Sequence, residues 1–211
     1  MDNNSENQEN NFIEFKIITL GEPAVGKTSI IKRFVSDDFD PNQISTMGVS
    51  LSFKVMKINK TNLKLSLIDT GGQEKYRSLS KSYFKHVDVI LFVFDLNNKH
   101  SFDCIQYWVD LLNENVSESD IKGKYLIGNK NDLEQMVDQK LIDEISKKNN
   151  LKYMSTSAMT KHQIDILFKY IGETLYEHIK KEKEKNPYSN GRQKTKVIIK
   201  KNTKPPKKKC C

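Results

Sequence analysis

The sequence predicts a single α/β domain: a mostly parallel six-stranded sheet with helices on both faces and one strand turned antiparallel by a hairpin. Two observations carry this expectation. Short apolar runs alternate with stretches of helical period, and strands separated by helices assemble into a parallel sheet covered on both sides. Only Asn59-Lys60-Thr61-Asn62 joins the second apolar run to the third, too short for a crossover helix, so that pair is antiparallel. At 211 residues, 36% hydrophobic and 29% charged, the chain has the composition of one globular domain with tails.

The apolar runs Phe12–Leu20, Val49–Ile58, Leu63–Ile68, Val87–Phe94, Tyr125–Ile127 and Leu151–Met154 read as strands, rich in β-branched and aromatic residues. Helical spacing places helices over Thr28–Val35, Phe102–Asn113, Val137–Asn149 and His162–Lys181. Ser101 is placed to cap the second helix, and Pro187 cannot continue the last. The domain spans 12–180, between an Asn-rich tail at 1–11 and a basic tail at 181–211. The longest uncharged apolar run is Val89–Phe94, far short of a bilayer span. The first eleven residues hold five Asn and three acidic residues, which is no signal-peptide pattern. Three cysteines, Cys104, Cys210 and Cys211, make no disulfide framework. A cytosolic protein is expected.

The net charge of +8 is unevenly spread. From Lys180 onward there are 13 Lys and Arg against 2 Glu, a net +11; residues 1–179 carry 22 basic against 25 acidic, a net −3. A segment so charged and poor in core-forming residues cannot offset its ordering entropy by burial, so it reads as a flexible arm. Nucleic-acid binding by that arm is not expected, because its lysines are not regularly interleaved with aromatic residues, Tyr188 standing alone among them.

The first strand runs into Gly21-Glu22-Pro23-Ala24-Val25-Gly26-Lys27-Thr28, a G-x-x-x-x-G-K-T loop followed by a helix. Backbone N–H groups of such a loop cradle a β-phosphate, Lys27 bridges β- and γ-phosphates, and Thr28 offers a hydroxyl to Mg²⁺. Asn129-Lys130-Asn131-Asp132 follows the fifth strand. The Asp132 carboxylate can accept from the N1–H and 2-amino group of guanine, donors that adenine lacks, while Lys130 lays its stem along the base. Ser157-Ala158 would add a backbone N–H for the guanine oxygen. In Asp69-Thr70-Gly71-Gly72-Gln73, which by itself could be a plain turn, Asp69 sits where it can hold Mg²⁺ through water, the Gly72 N–H can hydrogen-bond the γ-phosphate and Gln73 is placed to orient the attacking water. Thr46 lies where it can supply a second hydroxyl to Mg²⁺. Phe39 either stacks edge-on against the base or packs as a core residue under the loop.

Taken together, these motifs resemble the Ras superfamily of small GTPases and, within it, the Rab family, over about 12–180. Tyr76-Arg77-Ser78-Leu79 and Ser82-Tyr83-Phe84 are similar to the Rab second switch, and Cys210-Cys211 to a Rab ending; the C-a-a-X ending of Ras and Rho relatives does not occur. The resemblance implies a GTPase that binds GTP or GDP with Mg²⁺. In such a switch GTP orders loops Asp40–Leu51 and Gly71–Ser82, and hydrolysis releases them. It implies effectors recruited through residues 40–51 and 71–84, an exchange factor, and an activating protein that donates an arginine. It also implies geranylgeranylation of Cys210 and Cys211, a prenylation escort and a dissociation inhibitor. The place of action would be the cytoplasmic face of a membrane, in vesicle traffic, exchanging with the cytosol. Two lipids suffice for a stable anchor, and the adjacent lysines add attraction to an anionic leaflet.

Several residues depart from the Rab pattern. Pro23 and Ala24 stand where small residues such as Ser and Gly are usual. Bulk at Pro23 would crowd Gln73 and an incoming arginine, which keeps open a hydrolysis-deficient GTP-binding scaffold on membranes as the alternative function. Gly71 replaces the usual Ala and is expected to loosen the second switch. Leu51 and Ile68 replace a Phe and a Trp of the aromatic cluster that includes Tyr83, and Met159 replaces a Lys. A P-loop metabolic kinase would need a lid with arginines, and the core offers only Arg33 and Arg77.

Overall fold

A computed structural model describes residues 12–46, 48–71 and 84–185. In chain order the elements are β1 (Phe12–Leu20), α1 (Lys27–Ser36), β2 (Val49–Ile58), β3 (Thr61–Thr70), β4 (Val89–Asp95), α2 (Lys99–Asp103) and α3 (Ile105–Asn115). A short 3₁₀ turn at Glu118–Asp120 precedes β5 (Gly123–Asn129), α4 (Gln139–Lys148), β6 (Lys152–Ser155) and α5 (Ile164–Lys185).

All six strands form one sheet in the order β2-β3-β1-β4-β5-β6. β1 lies parallel between β3 and β4, with Ile17 beside Leu67 and Val89. β5 and β6 continue the parallel set, and β2 alone is antiparallel, paired with β3 from Val49–Thr70 to Ile58–Thr61. The fold class expected from sequence is therefore the one observed. The connection between β2 and β3 is shorter than the four residues expected: Asn59 and Lys60 alone make the turn, with φ of 46° and 68°. Two successive left-handed residues match the twist of a tight hairpin, and Asn adopts that conformation readily.

Every residue of β4 is buried, as in a strand covered on both faces, and alternation along it divides the core in two. Val89, Leu91 and Val93 join Ile17, Leu65 and Leu67 under α1 and α5, where Phe34 stacks on Phe168 at 3.7 Å between ring centroids. Ile90, Phe92 and Phe94 face the other way and join Ile18, Leu126, Trp108 and Ile142 under α3 and α4. Both layers are needed because no strand of the parallel set presents a polar face to water at its centre.

The helix boundaries differ from the sequence reading in three places. Asn98, not Ser101, caps the helix after β4: its Oδ1 accepts from the Ser101 N–H at 3.3 Å. Ser101 lies inside α2, where its hydroxyl accepts from the Asp95 N–H at 2.9 Å and donates to the Asn98 carbonyl at 2.7 Å. The expected single helix Phe102–Asn113 is two, joined at Cys104. The last helix runs on to Lys185, two residues short of Pro187; charged pairs such as Lys180–Glu177 at 3.6 Å suit a solvated helical end. Among the described residues no helix is long and apolar enough to cross a membrane.

Asp138 caps α4, its carboxylate accepting from the Lys140 N–H at 2.8 Å. Replacing it by Ala is expected to lower the unfolding free energy by about 1 kcal/mol, and by Ser much less. A urea titration reads this as a lower midpoint at unchanged slope.

Candidate functional site

The loop between β1 and α1 takes its shape from two glycines that tolerate no side chain. At Gly21, φ is 144° and a Cβ would lie 2.0 Å from the Val93 carbonyl oxygen; at Gly26, φ is 96° and a Cβ would meet the Asn129 amide at 2.3 Å. Ala24 is also left-handed, with φ of 62°, a conformation that costs an alanine roughly 1–2 kcal/mol. Between these turns the Lys27 side chain folds back, donating from Nζ to the carbonyls of Gly21 at 2.8 Å and Glu22 at 2.7 Å. Burial pulls its ammonium down to about 8 from an ordinary 10.5, against the opposing attraction of Asp69 and Glu22. A buried cation with neutral carbonyl partners at a loop of N–H groups is a site for an anion.

Thr28, Thr46 and Asp69 meet beside it. The Thr28 hydroxyl lies 2.6 Å from Thr46 Oγ1 and 2.6 Å from Asp69 Oδ2. Asp69 is also hydrogen-bonded by Thr19 at 3.5 Å, and burial raises its pKa against the pull of Thr28 and Lys27. Two hydroxyls and a carboxylate in contact form an all-oxygen donor set, which fits Mg²⁺ better than a softer metal. Gly71 permits a close approach: its N–H donates to the Gly48 carbonyl at 3.0 Å, and a Cβ there would lie 2.4 Å from the Thr46 carbonyl oxygen.

Asn129 joins this end to the next. Its Nδ2 donates to the Val25 carbonyl at 2.9 Å, while its Oδ1 accepts from Thr156 Oγ1 and the Ala158 N–H, both at 3.2 Å. Lys130 is left-handed, with φ of 63°, and its Nζ pairs with Asp95 Oδ2 at 2.8 Å. Ser157 donates its hydroxyl to Asp132 Oδ1, and its backbone N–H to the His162 carbonyl at 3.1 Å. In this structure the backbone donors of Ser157 and Ala158 are thus already engaged within the protein.

A cavity of about 690 Å³ runs from the phosphate-type loop to the Lys130–Asp132 loop. Of the residues expected at the site, Ala24, Gly26, Lys27, Thr28, Phe39, Thr46, Asn129, Lys130, Asp132 and Ala158 line it. Gly21, Glu22, Pro23, Val25, Asp69 and Ser157 stand behind that lining. Val25 is buried in the core, and the Glu22 carboxylate turns the other way, accepting from Trp108 Nε1 at 3.1 Å. Phe39 packs on the core under α1 and α5 and also lines the cavity. Gly72, Gln73, Tyr76, Arg77, Tyr83, Cys210 and Cys211 lie outside the described residues.

Sequence reasoning passed over Arg33. Its guanidinium donates to the carbonyls of Ala158 at 2.9 Å, Met159 at 3.1 Å and Asp37 at 2.9 Å, and lies 5.4 Å from the centre of the Phe39 ring. It ties α1 to the loop after β6. Its separation of 125 residues from Ala158 gave no local signal.

A parallel sheet with a glycine-shaped anion loop, an oxygen triad and a carboxylate at the far end of one cavity defines a P-loop domain of the GTPase type. The chain matches the Ras family over residues 16–177. It is 34% identical over 156 residues to the Ras-related protein Rab-30 of Homo sapiens, covering 73% of this chain and 76% of that protein. It is 31% identical over 170 residues to the Ras-related protein Rab-11B of Dictyostelium discoideum (80% and 76%) and 34% identical over 171 residues to the Ras-related protein Rab-1 of Theileria annulata (78% and 76%). The chain belongs to the Ras family and, within it, is a small GTPase of the Rab type.

Two outcomes are expected. Asn129→Ala leaves the buried Val25 carbonyl and Ala158 N–H unpaired, a loss of roughly 2–4 kcal/mol that urea unfolding would read. Lys27 binds a proton more weakly folded than unfolded, so nucleotide-free, metal-free protein gains stability as pH rises between about 8 and 10.5, by at most about 1.4 kcal/mol per pH unit. Urea midpoints at pH 7.5, 8.5 and 9.5 would show the rise, and Lys27→Met would flatten it.

Proposed function

We propose that this chain is a switch in membrane traffic that binds GDP or GTP with Mg²⁺ and hydrolyses GTP. One observation carries the reading: an anion loop and oxygen triad occupy one end of a cavity whose other end holds Asp132 and the Lys130 stem. Phosphates bind at Lys27 and the N–H groups of the loop, and the guanine edge donates to Asp132. Thr28, Thr46 and, through water, Asp69 would hold Mg²⁺, and the ion would neutralise charge that develops on the phosphates. Gln73 orients a water whose oxygen forms a bond to the γ-phosphorus as the bond to the β–γ bridging oxygen breaks, giving GDP and phosphate.

Few groups near the phosphates can act as acid or base, so turnover is slow until an activating protein supplies an arginine. Release of the γ-phosphate frees the Thr46 and Gly72 contacts, and the segments 40–51 and 71–84 lose the shape that effectors bind. An exchange factor expels GDP. Geranylgeranyl groups on Cys210 and Cys211, attached with the help of an escort and masked by a dissociation inhibitor, hold the domain at the cytoplasmic face of a membrane. The similarity to Rab proteins supports the cycling switch over a hydrolysis-deficient scaffold.

The test is single-turnover hydrolysis in Mg²⁺ by protein loaded with GTP in the presence of excess ATP. Slow turnover is expected, cut on the order of 10- to 100-fold in Gln73→Leu by loss of water positioning. Loading by ATP in place of GTP, or turnover equal in the two proteins, would refute the reading.

A further inference from the structure

Glu22, His100 and Cys104 bring a carboxylate oxygen, an imidazole nitrogen and a sulfur within 4.8 Å of one another. His100 and Cys104 stand one helical turn apart, where side chains leave the same face, and Cys104 Sγ lies 3.8 Å from His100 Nε2. With bonds of about 2.3 Å to sulfur and 2.0 Å to nitrogen, two ligands on a tetrahedral zinc are separated by about 3.6 Å. The pair is already at that spacing.

Glu22 comes from the phosphate loop and is only 7% exposed. Among the described residues its carboxylate accepts one hydrogen bond, from the buried Trp108 indole, and forms no ion pair. The through-space attraction of Lys27 adds to that donor, yet most of the about four acceptor positions of the carboxylate have no bonded partner among the described residues. The indole N–H fixes the orientation of that carboxylate, as an outer-shell donor does at a metal site.

We propose that Glu22, His100 and Cys104 bind a thiophilic divalent metal of the Zn²⁺ class, at a site separate from the Thr28–Thr46–Asp69 triad. A mixed oxygen, nitrogen and sulfur donor set excludes Mg²⁺ and suits zinc. Binding forms a metal–sulfur bond as the Cys104 proton passes to solvent, and the thiolate and carboxylate then cancel the two positive charges. His100 is exposed, so the metal enters from that side and keeps water as its fourth ligand. Because the Glu22 carbonyl accepts from Lys27 Nζ at 2.7 Å, a metal that holds Glu22 also holds the peptide that positions Lys27.

The experiment uses the full-length chain carrying Cys210→Ser and Cys211→Ser, in excess Mg²⁺, titrated with Co²⁺ and then Zn²⁺. One equivalent of Co²⁺ is expected to give a near-ultraviolet thiolate-to-cobalt absorption that Zn²⁺ abolishes. The emission of Trp108, the only tryptophan, changes over the same equivalent. Cys104→Ser removes the absorption, and His100→Asn weakens Co²⁺ binding by at least the roughly 10- to 100-fold that an outer-shell loss costs. Cobalt binding without the absorption, absorption that survives Cys104→Ser, or Trp108 emission indifferent to metal would overturn the proposal. The absorption and emission of the parental chain decide it even if a variant fails to fold.

Discussion

The side-chain amide of Asn129 satisfies groups from two segments that are far apart in sequence: the Val25 carbonyl of the phosphate loop, and the Thr156 hydroxyl and Ala158 N–H of the loop after β6. It is almost wholly buried, so none of these bonds competes with water, and each lost partner would leave an unpaired polar group at full desolvation cost. The glycine at position 26 exists for this contact, since any Cβ would occupy the space of the Asn129 amide. Arg33 repeats the same connection from the outside, binding the Ala158 and Met159 carbonyls from α1. The two ends of the cavity are therefore held in one frame by the protein itself. A ligand that bridges them meets a preformed distance between the loops that Asn129 ties together.

Charge is arranged differently at the two ends. At the phosphate end a buried ammonium, Lys27, is matched mainly by backbone carbonyls, and burial weakens its hold on the proton. On the proposed reading, an anion bound at this loop would offset the burial cost of that ammonium. At the other end Asp132 is kept in place by the Ser157 hydroxyl and Lys130 by Asp95. Those groups are compensated before any ligand arrives. On the proposed reading, that end would select by geometry and the first would attract by charge.

The residues that touch the cavity were largely legible because their chemistry depends on short spacings. Gly21 to Thr28, Asp69 to Gly71 and Asn129 to Asp132 each sit at a strand end, where a turn of fixed length presents backbone and side chain together. What the sequence did not reveal lies in pairings across long separations. Trp108 with Glu22 and Arg33 with Ala158 span 86 and 125 residues, and no local pattern announces either. The helix after β4 failed for another reason. Asn98 and Ser101 are both good caps three residues apart, and the choice fell to Asn98 because the Ser101 hydroxyl is taken by the Asp95 and Asn98 backbone. The glycine at 71 carries a steric constraint that reasoning on backbone freedom alone does not show. Its neighbour across the loop, the Thr46 carbonyl, leaves no room for a methyl group.

The strand order also has a consequence for how the chain is made. β1 leaves the ribosome first, yet it is a central strand whose partners are β3 and β4, with Ile17 waiting for Leu67 and then for Val89. At about 5–20 residues per second that second partner emerges several seconds after Ile17 itself. Until then Ile17, Ile18 and Leu20, wholly buried in the finished protein, have at most a hairpin and one helix to lie against. Nascent chains stalled before residue 89 should therefore be clients of chaperones that shield apolar strands, and that need should end only once α5 has emerged to close the layer that holds Ile17.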